Sequence, residues 1–354
     1  MDPITHALSG ALLARAAAAP PSSQRHPEQT DLPLRLQVTA GFIAAAFPDV
    51  DLVLRLIDTL TYLNWHQGPT HSLILLPLWA WLLAWLFSGF SRGCYAWKLF
   101  YRPACLGLAI HIAGDLITSY GLMLFAPFST ERFSLPLAFV IDPWFSLIII
   151  TGLALSWRYP QQRIPSIAAL AGLCGYGIFL WTLHQQAVKI AIRHANAYAM
   201  PHAQINVLPQ PLSPFHWKII IRHDENYQLA LVNLGQTTNQ QQDPTAWLLS
   251  RMAAAYRPVA ENDWQIHPQF GDDPTTMALV REAWLHPAFE PFRAFAVFPV
   301  LERIDTSKQG LCVWFYDLRF KFPELPPSFR YGVCRQDSYS DWEMFRQRGL
   351  FYID

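Results

Sequence analysis

The eighteen residues from Leu73 to Phe90 carry no ionisable side chain. As a helix this run is about 27 Å long, close to the hydrocarbon thickness of a bilayer. In water it would expose an apolar surface with nothing to cover it, so the chain is read as one that enters a membrane. Composition agrees. Charged residues are 15% of the 354 and hydrophobic residues 52%, whereas a soluble domain carries roughly 25% charge. The deficit falls in the first 200 residues. Fourteen tryptophans suit lipid–water interfaces. The 26 basic and 26 acidic residues balance, so there is no electrostatic footprint for nucleic acid.

The flanking sequence predicts further helices. Residues 3 to 19 read as a short Ala/Leu-rich helix capped by Asp2 or Thr5, followed by a polar, proline-rich surface loop over 20–34. Leu36 to Phe47 reads as a second short helix stopped by Pro48, and Leu52 to Leu63 as an interfacial helix. Ala104 to Phe125, Leu135 to Trp157 and Ile167 to Leu183 read as spans, the second kinked at Asp142-Pro143. The N-terminus lacks the basic region of an ordinary signal peptide. The basic residues Arg92, Lys98 and Arg102 follow one span, and Arg158 and Arg163 follow another two spans later. They fall on one side, the cytoplasmic one by the positive-inside rule. The C-terminal part is then expected outside.

The expected fold class is an α-helical integral membrane domain of about four to six helices over residues 1–195, followed by a small soluble α+β domain with an antiparallel sheet over 201–354. In the latter, His223-Asp224-Glu225-Asn226 joins two apolar runs as a hairpin. Residues 244–256 and 275–285 look helical, and 293–301, 311–320 and 331–335 look like strands. Of the five cysteines none has CxxC spacing, which argues against a cysteine-based zinc site. Cys312 and Cys334 would pair if the domain lies outside the cytoplasm.

Ionisable residues in this apolar setting carry the chemistry. His111 and Asp115, four apart, share a helix face inside a span, where such groups are costly and face a cavity or a partner. His66 and His71 flank a Gly68-Pro69 break, which folds one back toward the other. The mouth of the following helix is expected to offer free N–H groups to an anionic oxygen. Asp49 and Asp51 alternate by two, and His6 stands near the start of the first helix. Four imidazoles and three carboxylates without a thiolate suit zinc, manganese or iron. The set exceeds one tetrahedral ion's needs, so either two ions bind or some members orient ligands and move protons. The expected ligands are His6, His66, His71, His111 and Asp115, with Asp49 or Asp51 as general base. Gln67, Thr70, Ser72 and Thr118 are expected to contact substrate.

Thr5-His6, Phe47-Pro48-Asp49-Val50-Asp51, His66-Gln67-Gly68-Pro69-Thr70-His71-Ser72 and His111-x-x-x-Asp115-x-x-Thr118-x-x-Gly121 resemble, in order and spacing, the YdjM-like family of bacterial membrane-bound metal-dependent hydrolases. The likeness covers about residues 1 to 185, and Leu208 to Trp217 with the strands after it resembles the tail some members carry. It implies a multi-pass inner-membrane protein with metal-dependent hydrolase activity. A looser similarity to zinc-dependent phospholipase C proteins, through an early Thr-His, a Pro-Asp and a His-x-x-x-Asp, implies a phosphoester. The family's central motif reads His-Arg-Gly, and Gln67 replaces that arginine here. The expected reaction is attack of a metal-activated water on an ester or phosphoester of a hydrophobic or lipid-linked substrate. A transport or storage site for metal, or a membrane scaffold with a partner-binding C-terminal domain, is the alternative.

Overall fold

In the computed structural model the described residues are 1–18, 32–237, 245–259, 263–307, 310–337, 340–348 and 352–353. Most of the expected proline-rich loop over 20–34 lies outside them. The chain divides into two compact units, Met1–Thr182 and Leu183–Asp354.

The first unit is helical. Helix α1 (Pro3–Ala17) starts at Asp2, whose carboxylate accepts from the Thr5 amide at 3.0 Å, with Pro3 in the first turn. This is the arrangement that satisfies orphan N–H groups at a helix start. Helix α2 (Leu34–Ala46) runs into a 3-10 segment, Phe47–Leu56. Pro48 therefore does not end the helical path. It occupies the first turn of the 3-10 segment, where its missing N–H costs nothing. The merged element Leu34–Leu56, 23 residues with mean hydropathy 1.4, is long and apolar enough to cross a bilayer.

Helix α3 (Thr59–Trp65) is capped by Asp58. A 3-10 turn, Pro69–His71, follows, and α4 begins only at Leu76, running to Phe90. The apolar run that looked like a straight span from Leu73 is thus half of a bent pair, turned by 81° against Thr59–His71. His71 precedes α4 instead of standing at its mouth, because Leu73 donates its amide to the Leu124 carbonyl.

Helix α5 spans Trp97–Leu116, with Pro103 inside it. It starts earlier and ends earlier than expected, and Lys98 and Arg102 lie on it instead of in a loop. It stops because Thr118 turns back on Asp115, its amide and hydroxyl both donating to that carbonyl at 2.9 and 2.8 Å. Helix α6 (Pro143–Arg158) does not contain a kink. Asp142 is its cap, accepting from the amides of Trp144 and Phe145, and Pro143 opens the first turn. Helix α7 is longer than expected, Ile164–Ala197, and is the second element able to span. Among the described residues two helices pass the length and apolarity test, or three with the bent pair as one span.

Glycines bring α1, α2 and α5 together. A Cβ on Gly10 would stand 2.3 Å from the Gly41 carbonyl oxygen, and one on Gly107 would stand 2.6 Å from the same oxygen. Backbones this close need small residues at the crossing. One turn along from these crossings stand Ala45 and His111.

The second unit holds two five-stranded sheets. The first contains β1 (Gln204–Pro209), β2 (His216–His223), β3 (Asn226–Asn233), β4 (Arg257–Pro258) and β5 (Gln265–Pro268). It is mixed, since β3 and β4 are parallel. The expected hairpin joins β2 to β3. Pro209 sits on the edge strand, where a missing donor is tolerated. The second sheet has the order β10-β9-β8-β7-β6, from β6 (Pro299–Ser307), β7 (Gly310–Asp317), β8 (Tyr331–Arg335), β9 (Glu343–Arg348) and β10 (Tyr352–Ile353). Helices α8 (Leu248–Ala254), α9 (Pro274–Leu285) and α10 (Glu290–Phe295) complete the unit. The segment expected as a strand from Arg293 is helical to Phe295, and the strand begins at Pro299.

One face of the first sheet, with Trp217, Ile219 and Ile221, packs on Leu183, Ala187 and Ile190 of α7. The other, with Ile220, Tyr227 and Leu229, meets Val300 and Tyr316 of the second sheet and Phe298 just before it. Burial on both faces explains why β2 reads as a continuous apolar run instead of alternating. Cys312 and Cys334, paired in register on β7 and β8, form a disulfide.

Candidate metal centre

Four ligand-capable side chains converge inside the first unit. One donor atom from each of Asp49, His71, His111 and Asp115 lies within 4.8 Å of all the others. His71 and His111 are 0% exposed and Asp115 1%. The 3-10 segment after α2 supplies Asp49, the turn before α4 supplies His71, and α5 supplies the other two.

Hydrogen bonds around the cluster fix which atoms face inward. His111 Nδ1 lies 2.6 Å from the Ala45 carbonyl. A carbonyl only accepts, so Nδ1 carries a proton, and Nε2 presents a lone pair whenever the ring holds a single proton. Thr70 gives its hydroxyl proton to Asp51 Oδ2 and lies 3.0 Å from His71 Nδ1. It therefore accepts from that nitrogen, and His71 Nε2 is the open one. The two Nε2 atoms are 2.9 Å apart. Asp115 Oδ2 lies 3.2 Å from one and 3.3 Å from the other and makes no hydrogen bond; nor does Asp49 Oδ2.

Lone pairs of two imidazoles and a carboxylate thus point at one another in a dry site. That arrangement repels unless a proton or a cation stands among them, and it is the donor set a divalent cation takes. The residues present fit such an ion. Supporting contacts are in place around them. His6 Nε2 is 2.9 Å from Asp115 Oδ1, its ring stacks on His111 at 3.7 Å, and the Met1 amine also reaches Asp115 Oδ1.

A second group, Asp49, Asp51 and His66, shares Asp49 with the first. Here Asp51 is already engaged. Its Oδ1 lies 2.9 Å from His66 Nδ1, and its Oδ2 accepts from the Gln67 amide at 3.1 Å and from Thr70.

The other expected residues fall around this core. His6 lies beside the four-donor set, bonded to Asp115. Thr70 orients His71. The Ser72 hydroxyl is directed to the carbonyls of Leu124 and Ala126, and Thr118 is directed to the Asp115 carbonyl. Gln67 sits at φ 60°, and its buried Oε1 has no hydrogen-bond partner. Sequence reading missed the Ala45 carbonyl and Arg132. Arg132 donates to the carbonyls of Asn64, His66 and Gly121, so an arginine does reach this turn from a distant loop. Its only sequence signal was a basic residue in a short loop.

These features define a membrane protein with a buried His/Asp cluster between short helices. The chain belongs to the YdjM inner membrane protein family, whose match covers residues 1–187. It is also similar to the "Uncharacterized protein YfhP" of Bacillus subtilis (strain 168), 25% identical over 226 residues, 62% of this chain and 65% of that protein. The chain thus spans just under two thirds of that relative's length. No solved structure matches.

Proposed function

We propose that this chain is a membrane-embedded metal-dependent hydrolase acting on an ester or phosphoester of a hydrophobic or lipid-linked substrate. The observation that carries it is the pair of open Nε2 atoms 2.9 Å apart beside two carboxylate oxygens without hydrogen bonds. In this reading Asp49, His71, His111 and Asp115 hold the ion, with zinc, manganese and iron all compatible with the donors. A divalent ion held there supplies Lewis acidity, lowering the pKa of a water toward neutrality.

The chain's own residues do the rest. Asp49 is the least buried of the four and keeps a free oxygen, so it is the group placed to take a proton. Asp51 is a positioning residue, holding His66, the Gln67 amide and Thr70. His6 holds Asp115. Thr70 holds the tautomer of His71. Val50, Leu52, Val53 and Trp65, next to these ligands in the chain, are all large apolar residues about half exposed. That rim favours a substrate with a lipid tail over a soluble one. The second group around Asp51 and His66 would take a second ion if two bind.

The same reading places the protein as multi-pass with its C-terminal domain outside the cytoplasm. The Cys312–Cys334 disulfide supports that side, because such bonds persist in oxidising compartments.

The test is elemental mass spectrometry on detergent-purified protein, wild type beside His111→Ala, followed by hydrolysis assays on short-chain phosphoester and ester lipids. Zinc, manganese or iron near one or two equivalents, lost in the variant, together with turnover that a chelator stops, is the expected result. Wild-type protein that takes up no metal after loading would sink the proposal.

A further inference from the structure

The second unit contains a cavity of about 230 Å³ beside the first sheet. Lys218 of β2 lines it and is 1% exposed. On that face of the strand its neighbour Ile220 belongs to the apolar core, so a lysine there must be explained. Its Nζ donates to the carbonyls of Leu318 and Lys321, at 2.9 and 2.6 Å. An ammonium has three protons, and no carboxylate forms an ion pair with this one among the described residues. Capping the turn over Leu318–Phe320 accounts for two of its bonds but does not explain its neighbours.

Those neighbours are also cationic. Lys321 and Arg257 line the same cavity, as does His267. The Lys321 ammonium likewise donates to a carbonyl, that of Leu325 at 3.0 Å. Two carboxylates line the cavity, Asp263 and Glu324, and Glu324 is already held by Arg251. Three basic side chains therefore face one carboxylate without an ion pair among the described residues, an excess of about one to two positive charges at a partly buried site. Like charges that outnumber their counterions cost free energy that an anion recovers. Apolar residues line it as well, Leu231, Phe322 and Pro323, and the Lys218 ammonium lies 5.3 Å from the centre of the Phe322 ring.

We propose that this cavity is a binding site for a small phosphate monoester, its dianionic head among Lys218, Arg257 and Lys321 and its carbon body against Phe322. The charge excess matches a dianion better than a single carboxylate. A water takes roughly 30 Å³, so the volume holds a phosphate with a few further heavy atoms. The ionisation behaviour is that of a site waiting for an anion. Burial pushes the Lys218 ammonium down to about 7, and burial with the two lysines lowers His267. The phosphate could belong to a soluble ester or to a lipid headgroup.

Isothermal titration of the full-length protein in detergent separates these sources. The probes are inorganic phosphate, glycerol 3-phosphate and dihexanoyl phosphatidic acid. A His71→Ala protein run in parallel removes the metal cluster as a competing phosphate site. Saturable binding of at least one probe is expected in both proteins. Lys321→Gln and Arg257→Gln, at partly exposed positions that a fold tolerates, should each weaken it about tenfold or more, the value of one hydrogen bond to a charged group. Tighter binding of the phosphatidic acid assigns a lipid headgroup, and tighter binding of glycerol 3-phosphate a soluble ester. No saturable binding of any probe would overturn the proposal, as would binding lost with His71→Ala but untouched by Lys321→Gln and Arg257→Gln.

Discussion

Two carboxylates, one in each unit, are equally buried and differently surrounded. Asp317 is 0% exposed. Its oxygens accept from the Val297 amide at 2.7 Å, the Arg319 amide at 2.8 Å and the Arg319 guanidinium at 2.9 and 3.0 Å. Both oxygens have fixed protons facing them, and the guanidinium goes on to the Phe295 carbonyl. Asp115 is 1% exposed and has histidines instead of an arginine. One oxygen is held by His6 and the Met1 amine, while the other faces two ring nitrogens whose protons point away. Arginine cannot give up its proton, so the first site is closed and holds the fold. Imidazole presents a lone pair, so the second is open toward a cation. Burial of an acid alone is uninformative, and the identity of its partners decides its role.

The largest effect that would sharpen this contrast is on metal content. His71→Ala and His111→Ala should each drop bound metal from about one equivalent to below a tenth, read by elemental mass spectrometry, because each removes a buried donor. Retention of full metal in both would break the comparison outright.

Stability should separate the two acids in the opposite sense. Asp317→Ala strands a buried guanidinium, which costs about 3–5 kcal/mol. Urea unfolding of the C-terminal unit, followed by tryptophan fluorescence, checks it. Asp115→Asn in metal-stripped protein should cost less than Asp317→Ala, since it relieves lone-pair repulsion at Oδ2 and keeps an Oδ1 acceptor for His6 and the Met1 amine. Equal losses in the two variants would mean that Asp115 is structural too.

Next in size is the staple of the second unit. Cys312→Ser opens a crosslink between residues 22 apart and should cost about 3 kcal/mol. Thiol labelling of intact cells with a membrane-impermeant reagent after mild reduction reads the side on which it lies. Labelling confined to permeabilised cells contradicts the proposed external domain.

The smallest effect concerns a supporting contact. Thr70→Val removes the acceptor for His71 Nδ1 and should weaken metal affinity roughly tenfold to a hundredfold without abolishing it. A competition titration with a chelating dye measures this. No change would show that Asp51, 3.7 Å from the same nitrogen, suffices to hold the ring.

Much of the centre was legible because polar residues in apolar segments are few. His111 and Asp115 four apart, and the Asp49 and His71 motifs, could be chosen on chemistry alone. The helix ends were less legible. Leu73–Phe90 looks like a span on composition, yet Leu73, bonded through its amide to the Leu124 carbonyl, stays outside the helix, which begins at Leu76. Asp142-Pro143 looks like a kink inside a longer helix, and the same two residues instead make an ordinary helix start. In the second unit, β1 was hidden by Pro209 and the prolines that follow it, and β9 by charge. The segment before Pro299 carries the apolar density of a strand although it coils as a helix.

The sequence by itself determined that the chain enters a membrane, that its ligand-capable residues crowd into the first 120 positions, and that two cysteines stand ready to pair. These are properties of composition and spacing, which survive without coordinates. Only the tertiary structure decided which groups of that set face each other. It made His6 and Asp51 neighbours of the four-donor cluster instead of members. It did so through contacts far apart in the chain: the Ala45 carbonyl that sets the His111 tautomer, the Gly10–Gly41–Gly107 crossing that lets three backbones meet, and the strand pairing that buries Lys218. Proton direction and backbone approach depend on partners that no local pattern specifies.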